Sequence, residues 1–273
     1  MNTLTVAPDV ERLKTGLRTT WMSGDYDRFS RYMEGPAREF YERLEVAPGC
    51  RLLDVGCGSG QLSLVAARDG VQVTGVDIAA NLIARATQRA SAAGLAATFE
   101  EGDAEALRFE EGSFDVVVSL IGAMFAPRPE RVAREFLRVC SPGGTIAMAN
   151  WTAEGFVGRM FKTIAGFIQP SGMPSPLLWG NEDVVRERFG TGLADLSLGR
   201  RYYLFDYPFP PEEVVEFFAL HYGPAQRAFA SLDDVSRERL RRELVDLWSS
   251  ANLAGGGITV VRAEYLEVIG QRA

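Results

Sequence analysis

Between Arg51 and Asn150 short apolar runs alternate with stretches of helical period. Leu52 to Val55, Gln72 to Asp77 and Phe114 to Ser119 read as buried strands, and Glu100-Glu101-Gly102-Asp103-Ala104 follows a further one. Gln61 to Arg68 reads as a helix with Ser59 as its cap, and positions 132, 133, 136, 137 and 139 fall on one helical face. A helix end, a Pro142-Gly143-Gly144 turn and a fifth strand ending at Asn150 complete the series. Such alternation predicts a parallel sheet with helices on both faces. Upstream, Asp9 to Thr20 and Asp25 to Leu44 read as two helices joined by Ser23-Gly24. Downstream, Leu196 to Tyr207 reads as a sixth strand, Glu212 to Tyr222 and Leu232 to Ala251 as helices, and Ile258 to Ile269 as a final strand. Roughly fifty residues separate the last two strands where a tight hairpin would suffice, so that insertion is a candidate substrate cap. The expected organisation is one domain over 1–273: a helical lid (1–48), a ligand-binding core (49–150), cap insertions (151–195 and 210–253) and final strands (196–209 and 258–270).

The first strand runs into Asp54-Val55-Gly56-Cys57-Gly58-Ser59-Gly60. Glycines at alternating positions let the backbone turn sharply and approach a ligand, because no Cβ intervenes. In an open α/β sheet this crevice is where nucleotides bind. The spacing is G-x-G-x-G, whereas a dinucleotide fingerprint is G-x-G-x-x-G, and no Lys-Ser/Thr follows to grip phosphate. The loop therefore suits a nucleoside without a pyrophosphate. Asp77 ends the second strand, where an acid can accept hydrogen bonds from both ribose hydroxyls. Ile78 is placed to lie against an adenine face, and the Asp103 carboxylate to accept from an adenine amino group. Asp54 reads as a group that orients the glycine loop or meets the ligand through water.

On these motifs the chain resembles the class I S-adenosylmethionine-dependent methyltransferases, within the type 11 group similar to the ubiquinone and menaquinone enzymes. The resemblance is specific over about residues 20 to 150. It implies an α/β, Rossmann-like, seven-stranded and mostly parallel sheet with the last strand antiparallel, plus a helical lid and cap. It implies that Gly56, Gly58 and Gly60 line the methionine part of S-adenosyl-L-methionine, that Asp77 binds the ribose, and that Ile78 stacks on adenine. Asp103 and the Ala104 N–H would read the adenine edge. Ser119 and Leu120 would sit beside the sulfonium, and Trp21 to Tyr26 would belong to a lid, with Trp21 and Tyr26 over the cofactor. The implied reaction is in-line methyl transfer, leaving S-adenosyl-L-homocysteine. Met124-Phe125-Ala126-Pro127 resembles an M-F-x-P segment of the same group. Ser119-Leu120-Ile121-Gly122 departs from the Asn/Asp-Pro-Pro-aromatic pattern of enzymes that methylate amide or adenine nitrogens, and no Pro-Cys stands there for cytosine. Of the strand-end ligands that hold Mg²⁺ in catechol-type enzymes, only Asn150 has a match. What remains is a metal-free small-molecule O-, C-, N- or S-methyltransferase.

Composition narrows the partners. Net charge is −7, from 36 acidic against 29 basic residues, a poor match to a phosphate backbone, so no nucleic-acid partner is expected. Arg237, Arg239, Arg241 and Arg242 are interleaved with Asp234, Glu238 and Glu243, as on a solvated helix face. Cys50, Cys57 and Cys140 are odd in number and lack C-x-x-C spacing, and His221 is the one histidine, so neither a disulfide scaffold nor a metal site is expected. No apolar run reaches the ~20 residues of a membrane span, and Met1 to Arg12 lacks a secretory pattern. The expectation is a cytoplasmic monomer or homodimer acting on a small molecule.

Residues 151–229 hold 15 of the 28 aromatic residues, which makes this region the candidate acceptor pocket. Trp179, Tyr203, Tyr207 and Phe218 are its candidate lining, for a flat or apolar metabolite; aromatic density serves a core equally well. Val214, Phe217, Phe218, His221 and Tyr222 share one helical face, which makes His221 and Tyr222 the candidate catalytic groups, with His221 as a base or as a structural residue. Three other readings stand beside methylation. The same cofactor would serve a cyclisation or pericyclic step, a nicotinamide oxidoreductase would use the fold differently, and a binding module would hold the cofactor without turnover.

Overall fold

The computed structural model describes residues 9–169 and 172–273. Residues 1–8 of the expected lid, and Pro170 and Ser171 of the expected cap, lie outside the described residues. The chain opens with helices α1 (Val10–Trp21), α2 (Tyr26–Ser30) and α3 (Glu34–Glu42). The alternating core follows as β1 (Arg51–Val55), α4 (Ser63–Arg68), β2 (Gln72–Asp77), α5 (Ala80–Ala92), β3 (Ala97–Glu101), β4 (Phe114–Leu120), α6 (Pro129–Val139) and β5 (Cys140–Trp151). Then come α7 (Phe156–Ala165), α8 (Glu182–Phe189), β6 (Leu193–Tyr207), α9 (Pro211–His221), α10 (Gly223–Ala230), α11 (Asp234–Ala251) and β7 (Thr259–Arg272).

The seven strands form one sheet in the order β3-β2-β1-β4-β5-β7-β6. Strands β1 to β5 pair in parallel, and β7 runs antiparallel to both β5 and β6. Strand β1 is buried from Leu52 onward and β4 from Val116 to Ser119, as central parallel strands covered on both faces require. The chain winds one way from β1 to β3 and the other way from β4, so β1 and β4 flank the switch point at which a crevice opens beyond the strand ends. Among the core side chains, Leu52, Leu53, Val132, Phe136 and Ile146 have no solvent exposure.

Several elements differ from the sequence expectation. The single helix expected over 25–44 is two helices with a 3₁₀ turn between them, Arg31–Met33. Pro36 has no N–H to offer the carbonyl four residues back, so the chain tightens before it and restarts with Pro36 in the first turn of α3. Helix α4 starts at Ser63, and Ser59 does not cap it; its hydroxyl takes a bond from Gln61 Nε2 at 2.7 Å. The Pro142-Gly143-Gly144 turn is absorbed into β5 as an irregularity, where pairing with β4 jumps from Phe114↔Cys140 to Val116↔Thr145. Helix α10 was not foreseen: Gly223-Pro224 looks like a breaker, but Pro224 stands in its first turn, where a missing N–H costs nothing.

Candidate functional site

The crevice is built from backbone first. Gly56, Gly58 and Gly60 all have positive φ (+73°, +55° and +87°), the region only glycine adopts freely. Gly56 N and Cys57 N donate to Val76 O at 2.7 and 3.1 Å, tying the loop to β2. Across the switch point the loop meets the turn after β4. A Cβ on Gly56 would stand 2.7 Å from Gly122 Cα, and one on Gly122 would stand 2.5 Å from Gly56 O. Ser119 fastens the two strand ends, donating to Val55 O at 2.7 Å and accepting from Ala123 N at 2.8 Å. Ile121 then takes φ +64°, a strained conformation for a β-branched residue, which the surrounding contacts hold in place.

Three acids serve this backbone. Asp77 accepts from Gly58 N and from Ala79 N, both at 2.9 Å. Burial pushes its carboxyl pKa up, against the pull of those two N–H groups. Asp54 is buried and accepts from Ser63 Oγ at 2.6 Å; burial pushes its carboxyl up to about 7. Asp103 accepts from Glu105 N at 2.9 Å and from Lys14 Nζ at 2.5 Å. Lys14 also reaches Glu105 Oε2 at 2.7 Å, and Glu105 in turn pairs with Arg128 at 2.7 Å. Burial alone would lower the Lys14 pKa, but the two carboxylates outweigh it and hold it above its ordinary value.

A cavity of about 1010 Å³, its open mouth included, lies between the sheet ends and the α1–α2 lid. On the β2–β3 side it is lined by Gly56, Gly58, Asp77, Ile78, Asp103, Ala104 and Lys14. On the β4–β5–β6 side it is lined by Leu120, Phe125, Trp151, Phe205, Phe218 and Tyr222, with Trp21, Tyr26 and Phe29 above. Rings of this roof touch one another: Trp21 lies 5.0 Å from Phe125 and 6.0 Å from Tyr222, and Phe29 lies 4.8 Å from Tyr222 and 4.9 Å from Phe218. Burial pushes the Tyr26 and Tyr222 phenols well up, so both stay protonated at neutral pH. A smaller, more polar cavity adjoins and shares Tyr26, Gly56 and Gly58 with the first; Ser30, Asp54, Gln61 and Tyr203 also line it.

The structure thus gathers Trp21, Tyr26, Gly56, Gly58, Asp77, Ile78, Asp103, Ala104, Leu120, Phe218 and Tyr222 around one cavity, with Asp54 and Tyr203 at its neighbour. Other candidates lie elsewhere. Gly60 is enclosed by Leu64, Ala86 and Phe99 and allows the helix to pack, and Ser119 works behind the wall. Trp179 is buried under Arg188, whose guanidinium lies 4.4 Å from its ring, and Tyr207 is fully buried among Tyr32, Phe209 and Trp248; neither lines the cavities described. His221 is likewise outside the lining. Its ring packs on Phe217 at 4.7 Å, its carbonyl accepts from Asp25 N at 3.1 Å, and burial together with Arg28 lowers its pKa. Sequence reasoning missed Lys14, Phe29, Ile121 and Gly122. Among the described residues no group of three or more His, Cys, Asp or Glu is placed to hold a metal, and no helix is long and apolar enough to cross a membrane.

Known proteins give the same picture. A family profile described as a methyltransferase domain matches residues 53–148. An uncharacterized protein of Mycobacterium tuberculosis is 37% identical over 268 residues, 96% of each chain. Phosphatidylethanolamine N-methyltransferase of Cereibacter sphaeroides is 35% identical over 151 residues, 54% of this chain and 73% of that one. Among solved structures, the YcgJ protein of Bacillus subtilis has the same fold at a TM-score of 0.59 and 19% identity, covering 85% of this chain and 95% of that one. The chain belongs to the class I S-adenosylmethionine-dependent methyltransferases. Its cofactor is S-adenosyl-L-methionine, and the residues present fit it: a glycine cradle without Cβ atoms, and the Asp77 and Asp103 carboxylates facing the same space.

Proposed function

We propose that this protein transfers the methyl group of S-adenosyl-L-methionine to a small apolar or aromatic molecule. One observation carries the reading. A single cavity has Asp77, Asp103 and the glycine cradle at one end and a contiguous set of aromatic rings at the other. In this reading Asp77 accepts from the ribose hydroxyls, using the lone pairs that Gly58 N and Ala79 N leave free. Asp103 and the Ala104 N–H meet the adenine edge, and Ile78 lies on its face. The cofactor supplies an already activated methyl group on sulfur. The chain's own work is alignment and exclusion of water, for which the roof of Trp21, Phe29, Phe125 and Tyr222 is suited.

Tyr222 is retained as an acceptor-side residue that offers a hydroxyl hydrogen bond, whereas His221 has no part in the reaction. Membership of a methyltransferase family favours methylation over a cyclisation or pericyclic use of the same cofactor. The test is incubation with S-adenosyl-L-methionine and a panel of apolar and aromatic metabolites, read by mass spectrometry. Formation of S-adenosyl-L-homocysteine together with an acceptor one methylene heavier supports the reading. Turnover of an acceptor with no methylated product would replace it with the rearrangement reading.

A further inference from the structure

The charged side chains that line the large cavity, among the described residues, are Lys14, Asp77 and Asp103. All three stand on the β2–β3 side of the switch point. The opposite side presents rings. Phe125, Trp21 and Tyr222 are linked edge to face, Phe29 stacks on Tyr222 with the planes 25° apart, and Phe218 meets Phe29 edge on. Aromatic faces carry partial negative charge, so they attract cations and repel anions. An acceptor that reacts as a phenolate or thiolate would have to keep an anion beside these rings, where no cationic side chain stands among the described residues. A neutral amine meets no such cost.

The charge balance of the transfer agrees with that environment. We propose that the acceptor is an apolar amine, entering neutral and leaving as a methylated ammonium held against Trp21, Phe29, Phe125 and Tyr222. The nitrogen lone pair forms the new N–C bond while the C–S electron pair returns to sulfur. One positive charge thereby moves from sulfur to nitrogen, and none is created or lost. When the acceptor is a tertiary amine, the product is a quaternary ammonium and no proton has to leave, which matches an acceptor end lined, among the described residues, by no His, Asp, Glu or Lys. The sulfonium keeps the incoming amine in its neutral, reactive form, because a second cation in the same box is repelled. This assignment rests on the methyltransferase reading and specifies its acceptor.

Two isosteric probes test it: phenyltrimethylammonium, which carries the charge, and tert-butylbenzene, which does not. S-adenosyl-L-homocysteine is first titrated into the full chain by calorimetry, and each probe is then titrated into that complex. Hydrophobic transfer alone favours tert-butylbenzene. The proposal expects phenyltrimethylammonium to bind at least fivefold tighter, and expects Tyr222→Leu to weaken it about tenfold while changing tert-butylbenzene less than threefold. With S-adenosyl-L-methionine in place of the homocysteine, phenyltrimethylammonium should bind at least tenfold more weakly, and undiminished binding would overturn the like-charge argument. Equal or tighter binding of tert-butylbenzene to the homocysteine complex overturns the amine assignment and leaves the cofactor reading standing. Failure of S-adenosyl-L-homocysteine to bind at all removes both.

Discussion

Lys14 Nζ lies 2.5 Å from Asp103 Oδ2, joining the lid helix α1 to the loop after β3 across 89 residues of sequence. The contact closes the β2–β3 end of the cavity, and Asp103 keeps lone pairs for a ligand beside it. The Lys14 pKa is raised, so its charge persists through neutral pH, and the stability that charge contributes is lost as pH rises beyond the ordinary 10.5. Lys14→Met keeps the apolar stem and removes the clamp. Loss of a charge-assisted bond predicts a stability drop of about 1.5–3 kcal/mol and roughly tenfold faster cofactor release. Urea denaturation and stopped-flow displacement check the two; an unchanged release rate would separate Lys14 from lid closure.

The close approach of Gly56 and Gly122 gives a second outcome. A methyl group on Gly122 meets Gly56 O and Cα within 2.7 Å, and these are backbone atoms that a rotamer change cannot move aside. Gly122→Ala is therefore expected to spread the ends of β1 and β4, lower the melting temperature and weaken cofactor binding at least tenfold. A variant with native affinity would mean that the cradle tolerates separation.

Asp54 makes stability pH-dependent. Its carboxyl is raised from 3.8 to about 7 in the folded protein. Between these values the folded state holds a proton that the unfolded state has released. The contribution is therefore full below about pH 4, declines as pH rises, and is gone above about pH 7. The linked loss is on the order of 4 kcal/mol as an upper bound. Asp54→Asn stays neutral and still accepts from Ser63 Oγ, so urea midpoints of variant and parent should diverge in the variant's favour from pH 4 to pH 8. Parallel curves would show that the carboxyl titrates normally.

His221 is predicted to be dispensable for chemistry. Its side chain packs against Phe217 and stays outside the cavity lining, and the tertiary contact it provides comes from its carbonyl, which Asp25 N reaches at 3.1 Å. His221→Asn should change turnover less than threefold. A drop of ~10²-fold, the size expected for loss of a general base, would restore it to the mechanism.

The legible parts of this site are those written in local sequence. The glycine loop, Asp77 and the strand–helix alternation each depend on neighbours within a few residues, and all stand where the pattern puts them. The lid contacts were illegible because they depend on how α1 crosses the sheet: nothing near Lys14 in sequence announces Asp103. Aromatic density misled for a related reason. Trp179 and Tyr207 have the composition of a pocket, yet burial places them in the core, while Phe29, from the lid, supplies a wall of the cavity. Ile121 was hidden because strained backbone has no compositional mark unless glycine occupies it.

The central claim is that Asp77 and the glycine cradle hold the adenosyl group of the cofactor. Calorimetric titration of S-adenosyl-L-methionine into the parent chain and into Asp77→Ala tests it most directly. Asp77 serves the ligand and also anchors Gly58 N and Ala79 N, so the variant should lose about 1.5–3 kcal/mol per ribose hydrogen bond, at least a tenfold rise in Kd. Equal affinity in parent and variant would contradict the account.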